Sequence, residues 1–79
     1  MTIAFRYIIT AETRAELFTH EHADTKRGAR IIAAHLREAH AVEGAEVSIN
    51  TADGDALETW EFAAGRWTRT QPAAAEAQP

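Results

Sequence analysis

The stretch that most constrains the fold is Thr59–Thr70, TWEFAAGRWTRT. Two aromatic-rich runs flank a short Ala-Ala-Gly connection, and Arg66 and Trp67 follow it directly. Gly65 tolerates the positive φ that a tight connection needs, so the segment predicts a β-hairpin with strands near 57–63 and 66–70. That hairpin sets the fold class, and it places Arg66 and Arg69 beside a large aromatic surface.

The remaining elements follow from periodicity. Ile3, Phe5, Tyr7 and Ile9 alternate with Thr2, Ala4, Arg6 and Ile8, which predicts a strand near 3–10 with one face on the core. Ala11-Glu12-Thr13 reads as its turn. The run Arg14–His22 fits helix or strand by composition. A strand near 14–21 is chosen because it pairs with the first run as a hairpin. Asp24 and Thr25 then offer side-chain caps for a helix near 25–41. Ala29, Ile32, Leu36 and Ala39 form its apolar stripe, widened by Ile31 and His35. Gly44 ends it, and Glu43 is a poor match to a negative helix end. Val47 and Ile49 mark a strand near 45–51, and Asn50-Thr51-Ala52-Asp53-Gly54-Asp55 is turn material. The expectation is an α+β domain over residues 1–70: a single helix packed on an antiparallel sheet, in the order β-β-α-β-β-β. Phe5, Tyr7, Ile32, Leu36, Val47, Ile49 and Trp60 are its predicted core. Residues 71–79, biased to Ala, Gln and Pro, are expected to be a disordered tail.

With 79 residues the core is small, and about 3–5 kcal/mol of net stability is usual for such a domain. The chain has no Cys, which removes disulfides and thiolate metal sites and fits a reducing cytoplasm. Met1 leads straight into TIAFRYIIT without a basic flank or cleavage site, so no signal peptide is expected. No apolar run is long enough to span a bilayer, and no membrane association is expected. Net charge is −4. Lys26, Arg27, Arg30 and Arg37 cluster on the helix, whereas from Ala41 onward Arg66 and Arg69 alone oppose Glu43, Glu46, Asp53, Asp55, Glu58, Glu61 and Glu76. Such a chain offers at most a local basic patch on an acidic body, or an acidic face for a basic partner.

Catalysis finds little footing. Ser48 is the sole serine and sits mid-strand, no Gly-rich phosphate loop is present, and a chain this short has little room for a pocket. The expectation is no enzyme, no cofactor and no metal. His20 and His22 share one side of a strand while Glu21 points away, but two histidines are not a site, so they are read as solvated. Asp53, Asp55 and Glu58 lack the pattern of a calcium loop and read as a solvated acidic turn. The basic stripe is the sharper feature: Lys26, Arg30 and Arg37 fall at offsets of four and seven along one helix flank, with Arg27 about a quarter turn away. An ordinary solvated helix face is the competing interpretation.

Three strings carry a family resemblance: YII at Tyr7–Ile9, ARIIA at Ala29–Ala33, and TADG…WEF…GRW between Thr51 and Trp67. With the order of elements, they make the chain resemble small phage-encoded anti-CRISPR proteins that act on type I surveillance complexes, in particular a short type I-F inhibitor. The resemblance implies a binding protein of the bacterial host's cytoplasm that sits on the guide-loaded complex (Cascade) and keeps target DNA from pairing. It implies basic anchors at Arg30 and Arg66 in one surface patch, supported by Lys26, Arg27, Arg37 and Arg69. The acidic balance departs from the family pattern, so no strong nonspecific DNA binding is expected. The alternatives are a phage accessory module that homodimerises through an open sheet face or edge, and a small nucleic-acid-binding regulator.

Overall fold

The computed structural model describes residues 6–70. Five strands and one helix follow in the expected order: β1 Tyr7–Glu12, β2 Leu17–Ala23, α1 Lys26–Ala39, β3 Glu46–Thr51, β4 Ala56–Ala63 and β5 Arg66–Thr70. The strands form one antiparallel sheet in the order β2-β1-β3-β4-β5, and α1 lies across β1, β3 and β2. This is the α+β architecture that the alternation and caps predict. Phe5, the start of the first predicted strand and residues 71–79 lie outside the described residues.

The core is the contact between the helix and the middle of the sheet. Ile9 faces Ile49, and Ala11 faces Val47, and all four are buried. Ala29, Ala33 and Leu36 close over them from the helix. Small residues on the helix let its backbone approach the sheet, while the branched side chains of the strands fill the space beneath. Of the predicted core, Leu36, Val47 and Ile49 are buried, and Tyr7, Ile32 and Trp60 are partly buried against it.

Two local expectations change. Ala11 is core rather than turn, because β1 runs on to Glu12 opposite β3. The turn begins at Thr13, whose hydroxyl accepts the Ala15 and Glu16 N–H groups. The helical stripe is also narrower than expected: Ile31, His35 and Ala39 are exposed. Thr25 is the cap, its hydroxyl accepting the Gly28 N–H at 3.0 Å. At the other end His40 stacks on Phe18, with ring centroids 4.6 Å apart.

The β4–β5 turn is the tight one expected. Ala64 and Gly65 take φ of 54° and 79°, the two positive values of a two-residue hairpin loop. Glu43 holds this turn, its carboxylate accepting the N–H groups of Ala64 and Gly65 at 3.2 and 3.1 Å. Its mismatch to the helix end has a use two strands away.

Register shifts at Ala11/Glu12 and Ile49/Asn50 leave Phe18 and Leu57 as extra residues on β2 and β4. A bulge lets two successive side chains lean to one side. Leu57 thus packs against the core while its neighbour Glu58, opposite Ile49, also faces the helix.

Candidate functional site

Strand alternation puts a carboxylate on the helix-facing side of β4, because Glu58 lies two residues before Trp60 in unbroken register with β3. Glu58 is 3% exposed, in a position that strand alternation alone would reserve for an apolar side chain. A buried carboxylate requires a partner. Arg30 supplies it from the helix: Nε and Nη2 both donate to Glu58 Oε2, at 3.0 and 2.7 Å. Arg69 of β5 brings its Nη2 to 3.9 Å of the same oxygen. Both guanidinium side chains stay about half exposed, at 56% for Arg30 and 47% for Arg69. The acid is therefore inside and its partners reach out to water.

Arg37 extends the cluster one step along the helix. Seven residues after Arg30, it returns to the same flank. Its guanidinium carbon stands 4.1 Å from the centre of the Trp60 ring, and Trp60 faces Arg69 across β4 and β5. Burial pulls the Arg37 guanidinium below its ordinary pKa, and the Glu58 charge opposes that pull. Its Nη1 is buried without a hydrogen-bond partner among the described residues. The Trp67 indole N–H donates to the Arg37 carbonyl at 2.9 Å and packs edge-on against Phe62, tying the hairpin to the last helical turn.

Three guanidinium groups thus gather around one carboxylate and one indole ring. The surplus is positive in a protein that is acidic overall. Lys26 and Arg27 continue this charge, both exposed in the first helical turn. Cations there oppose the positive end of the helix dipole, and no acidic side chain in that turn offsets them.

The expected basic residues divide into two groups. Arg30, Arg37 and Arg69 come together at the helix–hairpin junction, with Lys26 and Arg27 farther along the helix. Arg66 does not join them. It pairs with Ala63, one residue out of phase with the Trp67–Phe62 pair that faces the helix, so it lies on the opposite face of the sheet. One patch anchored jointly by Arg30 and Arg66 is therefore not what the fold builds, and Arg30 is committed to an internal ion pair.

The uncovered face is hydroxyl-rich. Ser48 stands between Thr10 and Thr59, its hydroxyl 3.5 Å from that of Thr59. Its cross-strand neighbours are Thr10 and Thr59, while Glu46 lies two residues along β3 on the same face. Glu12, Glu46 and Glu61 form a row straight across β1, β3 and β4 on this face. Burial, then the charges of Glu12 and Glu61, raise the pKa of Glu46. Asp53 and Asp55 belong to the β3–β4 turn, where the Thr51 hydroxyl accepts the Asp55 N–H. No described helix is long and apolar enough to cross a membrane.

Glu58 is the residue that sequence reasoning missed, having grouped it with the acidic turn. The one signal for it was its place between Leu57 and Thr59-Trp60 in an otherwise strand-like run. No family model matches the chain, and no curated protein or solved structure is detectably similar to it.

Proposed function

We propose that the protein is an anti-CRISPR inhibitor that binds a type I surveillance complex in the cytoplasm of a bacterial host and blocks target DNA by steric occlusion. The observation that carries the reading is the cluster of Arg30, Arg37 and Arg69 around Glu58 and Trp60. It is a positively charged, half-exposed array whose members are held in place by the fold. Ordered arginines beside an aromatic ring are what contact hot spots are made of. Lys26 and Arg27 add support from their cost: basic side chains at a helix N-terminus weaken the helix, so binding is a reason to keep them. Of the strings on which the family resemblance rests, ARIIA contributes Arg30 to this array. Inhibition of this kind needs affinity and bulk and no chemistry.

The test is competition on purified type I complexes: capture of the protein by the complex, and loss of target-DNA binding as protein is added. Lys26→Glu combined with Arg27→Glu is expected to weaken inhibition at least about tenfold while leaving the fold intact, because both side chains are exposed. Arg69→Ala should weaken it as well. Arg66→Ala, on the other face, separates the two sides. Loss of inhibition there, with none from the helix variants, moves the contact to the open face. Failure to bind any type I complex rejects the reading.

A further inference from the structure

His20 and His22 stand opposite Thr10 and Ile8 of β1, so both rings project from the sheet face away from the helix. Both are exposed. Their centroids are 5.5 Å apart and their planes nearly perpendicular, at 89°. Two imidazoles on one tetrahedral zinc, with Zn–N bonds of about 2.0–2.1 Å, have centroids about 5 Å apart. The pair is already spaced as two ligands of one ion. Among the described residues no three His, Asp or Glu side chains converge as a metal site. No strand among the described residues pairs with the other flank of β2, an edge of the sheet. Leu17–Ala23 contains neither Pro nor Lys, the residues that commonly guard an edge.

We propose that His20 and His22 are half of a zinc site, completed by the same two residues of a second copy when two β2 edges pair antiparallel about Glu21. In that register His20 of each chain faces His22 of the other. Four imidazoles then stand on one face, about 5 Å apart across the seam, within reach of a single tetrahedral ion. The opposite face of the seam resists the pairing. Glu21 lies there, accepting a hydrogen bond from the Thr19 hydroxyl, and the two-fold axis sets one Glu21 against its copy. Like charges directly opposite disfavour a ladder. Zinc must overcome that repulsion, so the chain is a monomer without the metal and a dimer with it. This site is separate from the arginine cluster and does not depend on the surveillance-complex reading.

The experiment is light scattering on the full chain, free of any affinity tag, with zinc chloride or with EDTA. The mass is expected to double with zinc, saturate near about half a zinc per chain, and return to the monomer with EDTA. His20→Ala and His22→Ala should each abolish the doubling, while circular dichroism in EDTA shows each variant folded. Glu21→Gln should lower the zinc concentration needed. A mass that zinc does not change overturns the proposal. So does a zinc-induced dimer that survives both histidine substitutions, or one zinc held by each monomer.

Discussion

The two faces of the sheet carry opposite charge and manage it differently. Under the helix, Arg30, Arg37 and Arg69 converge on a carboxylate that is withdrawn from water. On the uncovered face, Glu12, Glu46 and Glu61 stand in line with water as their screen. Burial makes a partner obligatory on the first face. On the second, like charges persist side by side, and the middle one, half-buried Glu46, registers the cost. The covered face is organised by pairing and the open one by solvent.

The sharpest way to break that contrast is to compare neighbours on β3. Ile49→Ala, beneath the helix, should cost about 2–5 kcal/mol in denaturant melts. Ser48→Ala, on the open face, should cost no more than about 1 kcal/mol, since Ser48 is buried but its hydroxyl contact is long. Comparable losses at the two positions would mean that the open face is packed in solution.

Next in size is the ion pair. Arg30→Ala leaves Glu58 buried without its close donor, with Arg69 at 3.9 Å and the charge of Arg37 as the remaining compensation, and should cost about 2–3 kcal/mol. Glu58→Gln leaves guanidinium groups that reach water and should cost about 1 kcal/mol. A larger loss for Glu58→Gln would show that repulsion among the three arginines outweighs burial of the acid.

Glu46 supplies a smaller effect with a definite sign. Its folded pKa is raised, so the unfolded chain ionises first as pH rises, and stability falls from the ordinary carboxylate range up through the raised value. Glu46→Gln should therefore stabilise by about 0.5–1 kcal/mol at neutral pH, the advantage fading in acid below that range. A gain that persists in acid would place its origin in packing instead of charge. Smallest is Ala64→Asn at the hairpin tip, where positive φ suits Asn better than Ala. It should raise the unfolding midpoint by an amount equivalent to about 0.5 kcal/mol.

Much of this was legible along the chain because it is local. The β1 and β3 alternation, the Thr25 cap and the Gly65 turn are short-range patterns, and each announces its element, although β1 runs two residues past its expected end. The helical spacing of Arg30 and Arg37 was likewise legible. What Arg30 touches was not, because Glu58 is 28 residues away and meets it only once β4 has joined the sheet beside β3. The same phase question decided Arg66: one residue along β5 separates the two faces, and no spacing within the hairpin says which face the helix covers. The turn assigned to Ala11 failed for a similar reason, since its burial comes from Val47, far along the chain.

The grip on the hairpin has a consequence for how the molecule opens. β5 is a five-residue edge strand that is exposed apart from Trp67, and by length alone it would be the first to fray. Yet Glu43 holds its turn and Trp67 is fastened to a carbonyl of the last helical turn. To peel away, β5 must release the helix exit at two points. Its ladder amides should therefore exchange with deuterium in step with those near the helix C-terminus, as one cooperative unit, ahead of the Ile9–Ile49 centre. The most peripheral strand would then report on the end of the helix.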